Sequence, residues 1–253
     1  YSRRINRPHF RQLLPFFGYS DSRSFFAGNP DLNPEYVNSV EVGHMKRWES
    51  GSLLTSIYYR YKTDIMQRVR DTSSAVLTTM IPINLATGND YGFEFTFSKN
   101  VNKLIRLNGN FNFYRSLISG DYEGKDYSAD TYTWSSRFTS RIKLPKNFDY
   151  QLSLMYRGPR NTVQGRRLAM YGLDMGVSKD VLKDKATITF SVKDLFNTRR
   201  YRGVSWEDNF YIESDFQWRQ RQFLLNFSYR LNQKPGKSKN RGGDYDGYED
   251  MGG

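Results

Sequence analysis

The chain contains no cysteine among its 253 residues and only two histidines, His9 and His44. The first absence excludes disulfides, thiolate metal sites and a cysteine nucleophile, and leaves the compartment undetermined. The second leaves little for acid–base chemistry. A hydrolase needs a base held beside its nucleophile, and neither histidine has an evident partner in the sequence, so an enzyme is not expected. There is no glycine-rich phosphate loop and no cluster of metal ligands at binding spacing; no cofactor is expected. DYDGYED at 244–250 lacks the spread of ligands across about 12 residues, closed by a glutamate, that a calcium loop requires.

Long apolar runs are missing too. Nothing approaches the roughly 18 consecutive apolar residues of a membrane-spanning helix; LLPFF at 13–17 is typical of the best. Mean hydropathy is −0.74 and the apolar content 38%. These values exclude helical spans only, because a transmembrane β-barrel needs just every second residue to be apolar. No leader peptide is visible and the chain begins at Tyr1 in what reads as mid-strand, so a piece of something longer is expected.

What the sequence has is aromatics and positive charge. Aromatic residues make up 16%, with 19 Tyr and 18 Phe; they favour strands and gather where lipid meets water. The formal net charge is +12, scattered over many segments rather than concentrated in one run. That distribution argues against a nucleic-acid partner and leaves a scatter of solvated Lys and Arg, anionic headgroups or an anionic ligand.

The organising signal is alternation. In QFLLNFSYRL, residues 222–231, Phe223, Leu225, Phe227, Tyr229 and Leu231 oppose Gln222, Asn226, Ser228 and Arg230, with Leu224 the exception. A strand has a side-chain period of two, so such a segment is apolar on one face and polar on the other. Leu53, Ile57, Tyr59, Tyr61 and Ile65 likewise oppose Ser56, Arg60, Lys62 and Asp64. The pattern returns in 91–98, 105–113, 132–144, 148–157, 171–178 and 187–193, and less cleanly in 37–48, where Val40, Val42 and Trp48 share a face with His44. With a short piece at 1–5, about ten strands of roughly 9–15 residues are predicted.

Two features separate lipid from a protein core as the medium facing the apolar side. Soluble strands run about 5–6 residues, whereas about 9–11 tilted residues cross a bilayer. Connections also alternate in length. Glu49–Ser52, Asn100–Leu104, Leu144–Phe148 and Asp180–Lys185 are tight, while 6–35, 69–88, 117–130, 158–166 and 197–213 are long and polar. Outer-membrane barrels sort their loops this way, with short turns in the periplasm and long loops outside. The fold expected is therefore all-β, an antiparallel transmembrane barrel over 1–231. The Gly-rich, basic-then-acidic stretch 232–253 is expected to be a flexible periplasmic tail.

Three segments carry a family resemblance: Tyr1–Pro8, the stretch Gly28-Asn29-Pro30-Asp31-Leu32-Asn33-Pro34-Glu35-Tyr36, and Asp194-Leu195-Phe196-Asn197. Together, in this order on this pattern, they resemble the C-terminal barrel of TonB-dependent outer-membrane receptors of the Bacteroidetes type. The resemblance implies a 22-strand barrel, an N-terminal plug inside it and a segment that contacts TonB for energised import. It implies uptake of a ligand that the sequence leaves open among siderophore, glycan, peptide and cobalamin. Plug and remaining strands would come from missing sequence or a second chain, since open strand edges are untenable in hydrocarbon. The rival reading is a receptor-like barrel serving as a scaffold in an outer-membrane complex, with a surface lipoprotein or similar partner.

Candidate ligand-binding residues follow from parity and position. Arg60, Lys62, Arg157 and Lys193 belong to a cation-rich polar face that also holds Arg106, Arg137 and Arg141, set against Asp64, Glu94, Asp149 and Asp174. Phe25, Phe26, Trp206 and Tyr211 are loop aromatics suited to capture. Lys193 and Asp194 are expected to form a rim ion pair, and Leu195 or Phe196 to anchor the strand exit. Arg219 and Arg221, at the outer end of the last strand, could meet lipopolysaccharide phosphates.

Overall fold

The computed structural model of the chain describes residues 1–19, 24–71, 78–207 and 210–231. The tail expected over 232–253 lies outside the described residues.

The first elements are β1 (Ser2–Asn6), a single helical turn α1 (Phe10–Leu13), β2 (Phe17–Tyr19) and β3 (Ser24–Ala27). Then come β4 (Glu35–Trp48), β5 (Gly51–Asp71), β6 (Thr78–Asn100) and β7 (Ile105–Ser119), followed by the short pair β8 (Asp121–Tyr122) and β9 (Lys125–Asp126). The second half holds β10 (Ala129–Leu144), β11 (Phe148–Arg157), β12 (Arg160–Thr162), β13 (Gly165–Arg167), β14 (Met170–Val181) and β15 (Ala186–Lys193). It ends with β16 (Tyr201–Glu207), β17 (Phe210–Phe216) and β18 (Gln222–Tyr229).

Ten of these strands form one antiparallel path in the order β1-β4-β5-β6-β7-β10-β11-β14-β15-β18. Along it every strand pairs with its neighbour in chain order once the short loop strands are set aside. That is the up-and-down pattern of a barrel wall, with β1 and β18 at the two edges. The alternation of connections holds. At one end β10 passes to β11 through three residues, of which Lys146 and Asn147 have positive φ, and β14 to β15 through a turn with positive φ at Leu182, Lys183 and Asp184. Asn102 closes the β6–β7 turn by accepting from the N–H groups of Leu104 and Ile105, both at 2.8 Å.

At the other end the long links are built. The link expected over 69–88 is mostly strand, because β5 runs on to Asp71 and β6 starts at Thr78. The links after β11 and β15, 197–213 among them, are not plain loops but contribute a second sheet, order β12-β13-β16-β17. Their strands are short and lack the long alternation of the wall.

Ile65 corrects the parity assignment. Its odd number puts it with the outward apolar set, but it is 4% exposed. Asp64 adopts φ 55, a left-handed conformation that Asp tolerates better than most residues. Its carbonyl accepts from Asn84 Nδ2 at 2.8 Å. Past this kink the buried side chains of the hairpin are odd-numbered, Val69, Ile83 and Leu85, packed with Tyr127 from the β9–β10 link. Ile65 itself turns toward Gly88, where an added Cβ would lie 2.4 Å from Ile65 Cδ1. This small buried cluster sits at the long-link end of the β5–β6 hairpin.

Candidate functional site

Two faces of the wall differ in every property that matters for function. On one, Val40, Val42, Ile57, Tyr59, Tyr91, Phe95, Tyr132 and Trp134 are exposed, as are Leu154, Tyr171, Ile188, Phe190, Phe223, Leu225, Phe227 and Tyr229. Rings on this face pair with one another: Phe93 stacks on Phe113 at 5.4 Å, its direct cross-strand partner, and Trp134 on Tyr156 at 4.0 Å. Each such pair contributes about 0.2–1 kcal/mol. The face remains open, with exposed large apolar side chains recurring on it from β4 to β18, an extent that marks an interaction surface rather than scattered surface residues.

The opposite face is polar and concave. Toward the tight-turn end a concavity of about 550 Å³ is lined by Arg137, Arg141, Asp149, Asp174, Lys193 and Arg199. Toward the long-link end lies one of about 820 Å³, lined by Arg60, Lys62, Arg157, Arg160 and Arg202 with Tyr58, Tyr114 and Tyr201. Arg157 borders both.

Ion pairs organise this surface. Lys62 pairs with Asp90, which also accepts from Ser116 Oγ at 2.5 Å. Arg141 pairs with Asp149 at 3.0 Å. Asp174 takes Arg199 at 2.8 Å and Lys193 at 3.7 Å. Partly exposed pairs of this kind contribute about 0–1 kcal/mol each, so their effect is to fix geometry and leave cations facing the cavity. Arg60 stays over the Tyr58 ring at 4.3 Å, with Tyr58 Oη donating to Asn112 Oδ1 at 2.9 Å. The side chain of Arg157, whose backbone is paired to Ser135 and Met170, forms no ion pair among the described residues.

Thus Arg60, Lys62, Arg157 and Lys193 share the polar wall, and the first three line a single concavity. The loop aromatics do not join them. Phe26 lies under Arg68 at 5.4 Å, and Phe25 stands beside it in β3, which adds parallel to β6. Trp206 and Tyr211 face each other across the β16–β17 hairpin and are 47% and 65% exposed. Tyr211 donates to Glu213 at 2.9 Å; that bond, and then its surroundings, raise the phenol's pKa above its ordinary value.

The DLFN segment is a corner built differently from expectation. Lys193 pairs with Asp174, and not with Asp194. Asp194, 3% exposed, spends its carboxylate on the chain that follows, accepting from Thr198 N–H and Arg199 N–H, both at 3.0 Å. Asp194 and Asn197 both have positive φ, 54 and 57. Asn197 Oδ1 accepts from Arg221 N–H at 3.0 Å and Gln217 Nε2 at 2.8 Å, tying the corner to the start of β18. Phe196 is 65% exposed and Leu195 half-buried, and the hydrogen bonds that fix the exit come from Asp194 and Asn197. Arg221 is also claimed internally, donating to Leu195 O at 3.1 Å.

The GNPDLNPE corner is stitched in the same manner. Asn29 Oδ1 accepts from Asp31 N–H at 2.9 Å, and Asn33 and Asn84 exchange bonds of 2.9 and 3.0 Å, delivering the chain into β4. The long links are then clamped by Gln164, a residue the sequence reading passed over. Its Oε1 accepts from Arg70 N–H at 2.7 Å, its Nε2 donates to Arg70 O at 2.9 Å, and it also bonds Glu207. Glu207 in turn pairs with Lys125 at 3.1 Å. No sequence signal marks Gln164, because its partners lie 94 and 43 residues away. His9 caps α1 through Nδ1 and Arg11 N–H at 3.3 Å, and His44 is exposed on β4. Among the described residues no group of three or more His, Cys, Asp or Glu could hold a metal.

A family model described as "Outer membrane protein beta-barrel family" matches residues 1–229. No curated protein matches the sequence. Among solved structures, the copper transporter OprC shares 12% identity over 90% of this chain and 36% of its own, with a TM-score of 0.58. The ferric yersiniabactin uptake receptor FyuA from Yersinia pestis shares 17% over 80% of this chain and 30% of its own, TM-score 0.55. The ferric enterobactin receptor PfeA from Pseudomonas aeruginosa, as a G324V mutant, shares 11% over 89% of this chain and 36% of its own, TM-score 0.53. The likeness is one of fold, and the chain spans about a third of each of these proteins.

Proposed function

The chain belongs to the outer membrane protein β-barrel family, and from that premise we propose that it is part of the barrel of a TonB-dependent receptor that imports a ligand across the outer membrane. The apolar face then meets acyl chains, and the polar face lines the inside. The remaining strands and a plug would come from the rest of the protein or from another chain, because the edges at β1 and β18 each present unpaired backbone that hydrocarbon cannot satisfy. The long links would lie outside the cell and the tight turns in the periplasm.

The observation that carries the reading is the contrast between the faces: sixteen or more open apolar side chains on one side, ion-paired cations around cavities on the other. A scaffold subunit would need the first and not the second. In the mechanism, the clamped links capture the solute and the cation-rich wall holds it by charge-assisted hydrogen bonds. Displacement of the plug through TonB then opens the path. On this reading Arg60, Lys62, Arg157 and Lys193 bind and guide, and Trp206 and Tyr211 offer rings at the link surface.

The test uses the full-length protein in its own membrane. Deleting it should abolish accumulation of one class among siderophores, glycans, peptides and cobalamin, and collapsing the proton-motive force should abolish the same accumulation. Unchanged uptake of all four classes in the deletion strain would sink the import reading.

A further inference from the structure

Beside the polar wall, at the long-link end, lies a third concavity of about 1040 Å³. Five arginines line it from three parts of the chain: Arg11 of α1, Arg68 and Arg70 of β5, Arg166 and Arg167 of β13. Its described lining includes no aspartate or glutamate. None of the five forms an ion pair among the described residues. Among the described residues, Glu35 and Glu207 bond residues of this lining but are engaged, Glu35 by Asn6 Nδ2 and Met66 N–H, and Glu207 by Lys125 and Gln164.

Folding alone disfavours this arrangement. Arg70 Nη1 is buried without a hydrogen-bond partner, and an unsatisfied buried donor, above all a charged one, is destabilising. Burial also holds the Arg70 pKa below its ordinary value. Arg160 and Arg167 sit directly opposite across β12–β13, where like charges destabilise a strand pair. Burial and then the charge of Arg160 lower the Arg167 pKa, although part of that side chain reaches solvent. The Gln164 clamp holds the segment bearing Arg70 against the turn between β12 and β13, keeping the guanidinium groups together.

We propose that this concavity binds a small oligoanion, a soluble solute presenting two or more phosphate, sulfate or carboxylate groups at once. Guanidinium forks take such groups bidentately, and the volume of about 1040 Å³ is just above the roughly 300–1,000 Å³ typical of small-molecule sites. Bound anion would supply the missing acceptor for Arg70 and relieve the Arg160–Arg167 repulsion. A lipid headgroup fits less well, because the concavity shares Gln67, Arg167, Gly203 and Ser214 with the cavity on the polar face, away from the apolar belt. The site does not depend on whether the protein imports what it binds.

Titration calorimetry of the full-length protein in detergent with inorganic tripolyphosphate tests this. One-to-one binding that weakens as salt is added is expected. Arg70→Gln and Arg167→Gln should each weaken it about ten- to hundred-fold, and Lys183→Gln, in a tight turn at the far end, should leave it unchanged. Arg166→Gln, at an exposed position, guards against misfolding of the Arg70 variant and should show a loss in the same direction. Absence of binding to the wild type, or equal affinity in all the arginine variants, would overturn the proposal. So would displacement of tripolyphosphate by lipopolysaccharide at matched phosphate concentration, which would assign the site to a headgroup. Binding without any uptake would leave this site standing and remove the import function instead.

Discussion

Replacing Phe190 with arginine tests what the apolar face touches. Phe190 is 47% exposed, stacks on Phe223 at 6.4 Å, and pairs with Val177 on one side and Leu225 on the other. Four residues beyond the start of β15, it lies about 13 Å along the strand, or about 9 Å in height at a tilt near 45°, within a belt about 25 Å tall. That places it near the middle of the belt. A midplane arginine on the lipid side costs about 2–4 kcal/mol, and losing the packed half of the ring adds about 1 kcal/mol. The sum, about 3–5 kcal/mol, is a loss of two to three and a half decades in the folding equilibrium. Urea-dependent folding of the full-length protein into phospholipid vesicles measures it directly. Ser191→Arg, one residue on and facing the lining of the polar concavity, should be tolerated, and Leu144→Arg, at the end of β10, should cost about 0–1 kcal/mol. If water bathed the apolar face, Phe190→Arg would cost only the lost ring packing, about 1 kcal/mol, and would improve solubility. That outcome, or a larger penalty at Ser191 than at Phe190, would refute the facing of the wall.

Asp194→Ala leaves two half-buried N–H groups without their acceptor and places alanine at φ 54; a loss of about 2–4 kcal/mol is expected, read as faster proteolysis within 194–221 and a lower melting temperature. Gln164→Ala removes both bonds to the Arg70 backbone, so protection of amide hydrogens in 158–169 and 201–216 should fall while the wall strands exchange as before; unchanged protection would show that the clamp is not limiting. Asp64→Val forces a β-branched residue into φ 55 at about 1–3 kcal/mol, whereas Asp64→Gly should match or exceed the wild type in denaturant titration.

Much of the architecture follows from local sequence. A strand's two faces are set by a period of two residues, so Phe223, Leu225 and Phe227 are assigned against Gln222, Asn226 and Ser228 without knowledge of any neighbour. The sorting of tight and long connections, and hence the up-and-down order, follows as directly. The set of cations on the inner face is another consequence of parity, which is why Arg60, Lys62 and Arg157 appear on one concavity.

Parity fails where the backbone leaves the strand conformation. Asp64 has no sequence mark to separate it from other aspartates, yet its left-handed φ inverts the buried set and turns Ile65 inward. Which acid meets Lys193 depended on register: Asp174 lies on the adjacent strand, while the adjacent-in-sequence Asp194 turns back to cap its own corner. Gln164 and the five arginines around the third concavity are brought together from segments up to about 150 residues apart, along link paths that no short window of sequence encodes. Local alternation therefore determined the wall and its two media. Only the folding of the long links, through contacts distant in sequence, decided where charge accumulates without a partner.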